Sequence, residues 1–272
     1  MFDTTARPSP WEGIDPATTA FYRHVLQTLA DAGIPYLVGG AFSFACFTGI
    51  ERPTKDLDLF IRRDDYGPIE DLMRASGYRA ELTYPHWLAK VHAGDTFVDL
   101  IFNSGNGILP VDDEWFAHAS KAEVLGLSVK VAPAEESIAS KAFIMERERY
   151  DGADVAHLLR ARTLDWQRLA RRFGPHWRVL LAHLVLFGFI YPDERARVPA
   201  WLMNELLARL REEMGGPPPA TRVCAGTLLS REQYLHDLEQ GGLTDARVRY
   251  GAMTEEDVAS WTGAISDRHD AG

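Results

Sequence analysis

Residues 36–60 read YLVGGAFSFACFTGIERPTKDLDLF, placing a glycine pair, Gly39 and Gly40, and an aspartate pair, Asp56 and Asp58, in otherwise apolar surroundings. IPYLV is a short buried strand, the glycines a tight turn, AFSFACFTGI a helix of small and aromatic residues, and KDLDLFI a second strand. Side chains alternate faces along a strand, so Asp56 and Asp58 are expected on one face, with Leu57 and Leu59 on the other. At about 4 to 6 Å and an effective dielectric near 20, two such carboxylates repel by about 3 to 4 kcal/mol. A divalent cation turns that repulsion into attraction, and hard oxygen ligands suit Mg²⁺ or Mn²⁺ rather than zinc.

Upstream, Asp15 and Pro16 form an N-cap and first-turn pair, and Phe21, Val25 and Leu29 recur every fourth residue until Gly33, which predicts an amphipathic helix. Downstream, GPIEDLMRASGY is a helix closed by Gly77, followed by strands in YRAEL, WLAKVH and TFVDLIF, the last two joined as a hairpin across AGD. TFVDLIF carries a third isolated carboxylate, Asp99, so three acids on two strands are placed to hold two cations. A strand that ends in two glycines and opens into a helix lets backbone N–H groups approach a phosphate. Each feature also has an ordinary reading: a capping or solvated Asp pair, a plain Gly-Gly turn, and an Asp99 paired with Lys90 on the neighbouring strand.

KAEVLGLSVKVAP is a further β-rich piece, and from Pro133 on the pattern becomes helical: PAEESIASKAFIMERER, DVAHLLRAR, DWQRLARRF, HWRVLLAHLVLFGF and WLMNELLARLREEM. GGPPPATRV interrupts the helices, LLSREQYLHDLEQGG predicts one more with Ser230 as N-cap, and SDRHDAG is a frayed tail. The expected class is α/β, a mixed sheet flanked by helices and followed by a helical domain. The expected divisions are 1–132 for the core, 133–215 for helices completing the site, and 216–272 for a C-terminal extension.

The balance of 29 basic and 39 acidic residues, a net charge of −10, opposes non-specific binding to nucleic acid or to an anionic membrane. Arg160, Arg162, Arg168, Arg171 and Arg172 form a local concentration that fits an RNA-facing patch or a solvated helix face. Cys46 and Cys224 offer neither a disulfide framework nor metal-ligand spacing. The first residues lack a secretory pattern, and VLLAHLVLFGFIY is too short to span a bilayer. The expectation is a cytoplasmic protein with no membrane partner. His86, His92, His157, His176 and His183 are scattered, and packing roles are expected for them.

In the order strand, glycine pair, helix, Asp-x-Asp strand and later single-Asp strand, the chain resembles the nucleotidyltransferases of the DNA polymerase beta type. VGGAFSFACFTGIERPTKDLDLF matches their signature through Gly39, Gly40, Asp56 and Asp58, and FVDLIF supplies Asp99. The segment PAEESIASKAFIMERERYDGADVAHLL is similar to the helices after the core in the branch that holds abortive-infection-type toxins and many uncharacterised bacterial relatives. The resemblance implies transfer of a nucleoside monophosphate from an NTP, ATP among them, to an acceptor, with pyrophosphate leaving. Asp56 and Asp58 would hold the cation at the phosphates, and Asp99 a second cation while favouring deprotonation of the acceptor hydroxyl.

Lys141 is implied as a triphosphate contact, with Asp151 or Asp154 close by. Many relatives carry Ser directly after the first Gly; here Gly40 stands there, and Ser43 follows a turn later. Lys55 is a further phosphate candidate, although alternation turns it away from the aspartates; Arg52 and Thr54 lie on the approach. The candidate set is therefore Asp56, Asp58 and Asp99 for catalysis and metal, and Gly39, Gly40, Ser43, Lys55, Lys141 and Asp154 for the nucleotide. RNA, protein and small molecules all fit as acceptors, and toxin, resistance and housekeeping roles all fit the chain.

Competing readings are a nucleotide-binding pseudoenzyme on the same fold and, more remotely, an Asp-x-Asp glycosyltransferase, which needs neither the glycine pair nor Asp99. A dehalogenase-type phosphatase is excluded because DLDLFIRRDD continues as strand rather than entering a loop.

Overall fold

The structure, a computed structural model, describes residues 14–269 apart from 53, 162 and 252, with the backbone alone from 264 on. The described residues divide into two compact units. One comprises the chain up to Phe102 with Val111–Pro133; the other comprises Asn103–Pro110 with the chain from Ala134 on.

The first unit opens with helix α1 (Pro16–Asp31), started by Asp15, whose Oδ1 accepts from the amides of Ala17 and Thr18. Phe21, Tyr22, Val25, Leu26 and Leu29 are its buried stripe. Strand β1 (Leu37–Val38) leads into α2 (Gly40–Thr48), which ends at Gly49 in the left-handed conformation at φ 68°. Then follow β2 (Leu57–Phe60), α3 (Tyr66–Ala75), β3 (Arg79–Tyr84), β4 (Leu88–Ala93) and β5 (Thr96–Ile101). The short strands β6 (Asn103–Ser104) and β7 (Leu109–Pro110) belong to the second unit, after which the chain returns through α4 (Asp113–Ala117), β8 (Ser120–Val124) and β9 (Leu127–Val131).

Seven strands form one mixed sheet in the order β3-β4-β5-β2-β1-β9-β8. Strands β2 and β5 are parallel, as are β1 and β9, and the other neighbours are antiparallel. The expected hairpin across AGD is present, pairing Ala93 with Thr96. KAEVLGLSVKVAP is a second hairpin, closed by Leu125 and Gly126 at φ 52° and 71°; two positive φ values match the twist of a tight hairpin. Leu37, Phe60, Val111, Trp115 and Ala132 form an apolar cluster, in which the Phe60 and Trp115 ring centroids lie 4.7 Å apart. The α/β class, the mixed sheet flanked by helices and the helical region that follows are as the pattern predicts.

One boundary differs. The β2–β5 ladder starts at Leu57, so Asp56 and Lys55 stand on the lead-in and only Asp58 of the pair sits within the strand. Thr54 shapes that lead-in: its hydroxyl donates to the Asp56 carbonyl and accepts from the Asp56 amide.

The second unit holds α5 (Ala134–Ala142), α6 (Gly152–Ala161), α7 (Trp166–Phe173), α8 (Trp177–Ile190) and α9 (Ala200–Gly215). After them come β10 (Val223–Cys224), α10 (Leu235–Glu239), β11 (Thr244–Asp245), α11 (Ala246–Arg249) and α12 (Glu255–His269). PAEESIASKAFIMERER does not run as one helix: α5 stops at Ala142 because tertiary partners take over the backbone beyond it. The Met145 amide donates to the Leu229 carbonyl, and the Glu146 carboxylate accepts from the Arg231 amide and the Ser230 hydroxyl.

Ser230 correspondingly does not cap α10, whose first flanking residue is Tyr234; it accepts instead from the amides of Glu232 and Gln233 in the turn before it. Residues 266–269 of the expected tail continue α12, and 270–272 lie outside the described residues.

Three of the five clustered arginines are in ion pairs. Arg168 is buried, and its guanidinium donates to both Glu135 and Glu136, while Arg172 Nε donates to Glu136 Oε1 at 2.8 Å. Arg160 pairs with Glu194 at 2.6 Å, and Arg162 lies outside the described residues. Arg160, Arg168 and Arg172 are thus held in ion pairs, while Arg171 is exposed. Trp166–Ile190, 25 residues, has the length and composition of a membrane span. Gly174 and Pro175 divide it, and the 14 residues of α8 alone rise about 21 Å against a hydrocarbon core of about 30 Å.

Candidate active site

In the first unit, β2 and β5 run parallel with Asp58 directly opposite Asp99, so the two carboxylates leave the same face of the sheet as neighbours. The Gly39 amide donates to the Asp58 carbonyl at 2.9 Å, fixing the end of β1 against β2. A Cβ at Gly39 would lie 2.7 Å from Cδ2 of Phe60. One at Gly40 would lie 2.8 Å from Cγ of Asp58 and closer still to its Oδ2, and Gly40 has φ +55°. Glycine is thus required at Gly40 twice over, for backbone conformation and for room beside the Asp58 carboxylate.

Ser43 is buried, and its hydroxyl donates to the Gly40 carbonyl at 3.2 Å, within the first turn of α2. Lys55 is exposed, and its carbonyl accepts from the Tyr22 hydroxyl at 2.8 Å, tying the Asp56 lead-in to α1. Burial, with added repulsion from Asp56, Asp99 and Asp58, pushes the Tyr22 phenol up to about 12. Tyr22 was not legible as a site neighbour, since it reads only as one residue of the α1 stripe.

Asp99 has a partner. Lys90 Nζ donates to Asp99 Oδ1 at 2.6 Å, from the position directly opposite on β4. Burial holds the Asp99 carboxyl above its ordinary range; Lys90 opposes that, and Asp56 adds to it. Among the described residues no three His, Cys, Asp or Glu side chains converge as a metal cage. Asp58 and Asp99 are side by side across the β2–β5 ladder, and Asp56 stands on the lead-in close enough to act on Asp99. Asp56 and Asp58 offer carboxylate oxygens, the donor type that a hard divalent cation takes, and glycine at position 40 leaves room beside the Asp58 carboxylate.

In the second unit, Lys141 on α5 donates to Asp154 Oδ2 at 2.7 Å and to Asp151 Oδ2 at 3.1 Å. Arg149 adds a forked pair to Asp151 through Nε and Nη2. Burial pushes the Asp151 carboxyl up, but Arg149 and Lys141 together outweigh it and hold it below the usual range. His183 is buried on α8 and its Nε2 donates to the Ala142 carbonyl at 2.9 Å, a packing role as expected.

A protein-family model described as "Uncharacterised nucleotidyltransferase" matches residues 18–182, more than half of the chain. The chain belongs to this nucleotidyltransferase family. Its matched span contains the glycine pair, all three aspartates, Lys90, Lys141 and Asp154 of this nucleotidyltransferase. No curated protein matches the sequence.

Solved structures similar to it include the antibiotic-resistance factor ANT(2'')-Ia in solution, at 17% identity and TM-score 0.38, covering 74% of this chain and 95% of that one. The lincosamide antibiotic adenylyltransferase LnuA, lincomycin-bound, is 15% identical at TM-score 0.37, covering 52% and 94%. An antigenic nucleotidyltransferase-like protein from Paracoccidioides brasiliensis is 14% identical at TM-score 0.45, covering 67% and 92%.

Proposed function

We propose that this nucleotidyltransferase moves a nucleoside monophosphate from an NTP to a hydroxyl acceptor and releases pyrophosphate. The observation that carries the reading is Asp58 beside Asp99 on adjacent parallel strands, with glycine at position 40, where a side chain would displace the Asp58 carboxylate. In the transfer the acceptor oxygen bonds to the α-phosphorus, the bond from that phosphorus to the bridging oxygen breaks, and the acceptor proton leaves. Asp99, a half-buried carboxylate that desolvation holds above its usual range, is suited to take that proton.

Asp56 and Asp58 are the residues that would hold Mg²⁺ or Mn²⁺, which supplies charge neutralisation at the phosphates. The Gly39–Gly40 backbone and the N-terminal turn of α2 are suited to the triphosphate oxygens. Lys55, Lys141, Asp154 and the Ser43 turn are assigned to nucleotide binding on the family resemblance; positioning and neutralisation are most of what this reaction needs.

Incubation with each α-labelled NTP and Mg²⁺ or Mn²⁺, with and without cellular RNA, protein and small-molecule fractions, tests the reading. Covalent label is expected on one fraction, reduced at least about a hundredfold by Asp56→Asn or Asp58→Asn, the scale of losing one group that stabilises the transition state. Nucleotide binding with no label on any fraction would instead support a binding module.

A further inference from the structure

Arg171 makes no ion pair among the described residues, and it lines a groove of about 420 Å³ formed by α7, α8 and α9. The buried part of the lining is apolar, with Leu180 and Leu206. The exposed part carries Arg171, Arg209, Glu205 and Trp201, an indole on the first turn of α9 that is 44% exposed. A tryptophan is highly buried in most folded proteins, so one this open at the wall of a groove offers a flat, unoccupied aromatic surface. Trp177 also lines the groove, but it is buried and the Arg178 guanidinium lies 4.9 Å from its ring centroid. Trp201 is therefore the open platform.

The charges in the lining point the same way. Arg171 and Arg209 against Glu205 leave one positive charge, in a chain whose net charge is −10. Arg209 is held by Glu205 one turn earlier at 2.6 Å, and both side chains are exposed. Such a pair is weak enough in water for an incoming anion to replace it.

An open indole with guanidinium groups in the same groove suits a phosphate carried on a flat ring, since the ring stacks and the phosphate takes the guanidinium. A small molecule needs most of its surface enclosed, and a wall of exposed side chains does not enclose one. A strand that enters and leaves needs only a platform and a charged track. We propose that this groove is a binding site for single-stranded nucleic acid, with one base on Trp201 and the adjoining phosphates at Arg171 and Arg209. The site lies wholly within the second unit and does not rest on the transfer reading.

Fluorescence anisotropy of a labelled octa-adenylate RNA, titrated with the full chain in the absence of NTP and divalent cations, tests the proposal. Saturable binding is expected, weakened about tenfold by Trp201→Ala, the scale of losing one stacked base, and severalfold by Arg171→Met. Trp201→Phe, which keeps a ring, and Arg195→Met, at an exposed arginine outside the groove, are expected to bind as the wild type does. With two phosphates engaged, the logarithm of the association constant should fall against the logarithm of salt with a slope of about −1.4. All three substituted side chains are exposed, and circular dichroism checks that each variant folds. No binding of the octamer, binding undiminished in both Trp201→Ala and Arg171→Met, equal weakening in Arg195→Met, or a slope several times steeper overturns the inference. Displacement of the RNA by AMP or by a polyglutamate peptide at the strand's own concentration also overturns it, and makes a free nucleotide or an acidic chain the ligand.

Discussion

At Gly40 a methyl group would crowd the Asp58 carboxylate, and φ +55° would strain any other residue there. The two effects separate by measurement. A non-glycine residue at positive φ costs about 1 kcal/mol of stability, whereas displacing a carboxylate from its working position costs rate steeply. Gly40→Ala is therefore expected to lower nucleotide transfer at least about tenfold while the denaturation midpoint falls only slightly, as read by transfer rate beside a chemical melt. That Asp58 and Asp99 each sit inside a strand was legible from alternation, whereas the parallel pairing that sets them opposite one another was not, since a period of two does not name a strand's neighbour. The place of Asp56 was not: Thr54 turns the chain just before the ladder begins, and only coordinates reveal that turn. Lys90 was visible as an ordinary partner for Asp99; its shielded seat over Phe97 was not.

Helix α5 carries two different electrostatic devices. At its start, Glu135 and Glu136 are buried around Arg168, with Glu135 also accepting from the Asp165 amide at 2.7 Å. Removing the cation leaves buried Glu135 with the Asp165 amide and no positive charge, and Glu136 with Arg172 alone, so Arg168→Met is expected to cost about 3 to 5 kcal/mol. Adding Glu136→Gln should recover part of that loss, a non-additivity read from a double-mutant cycle of urea melts.

Lys141, near the end of α5, and Arg149, beyond it, outweigh burial and hold Asp151 below its ordinary pKa. A carboxylate lowered in the folded state contributes stability that is present above the unfolded value of about 3.8 and is lost as pH falls through the folded value. Asp151→Asn should remove that acid-side slope and cost about 1 to 3 kcal/mol near neutral pH, as measured by melts across pH. Periodicity revealed these helices but not their partners: α7 reads as a basic face until Glu135 and Glu136, some thirty residues earlier, are brought to it.

For the molecule as a whole, the alternation of strands and helices was enough to announce an α/β sheet followed by helices, because burying apolar faces leaves few other solutions. The excursion of β6 and β7 into the second unit carries no periodic signal, since the strands have two residues each and a turn residue supplies part of their anchor. Asn106 at φ 56° donates from Nδ2 to the Leu228 carbonyl at 2.6 Å. The net charge of −10 and the pairing of Arg160, Arg168 and Arg172 argue that any nucleic-acid acceptor is met at a defined site rather than by general attraction.

Nucleotidyl transfer remains the central claim, and comparing α-labelled with γ-labelled NTP, using the acceptor fraction that takes up label, tests it most directly. The α-label should pass to the acceptor while the γ-label leaves as pyrophosphate, with both events lost in Asp58→Asn. Label from the γ-position on the acceptor, or α-label transfer undiminished in Asp58→Asn, would contradict it.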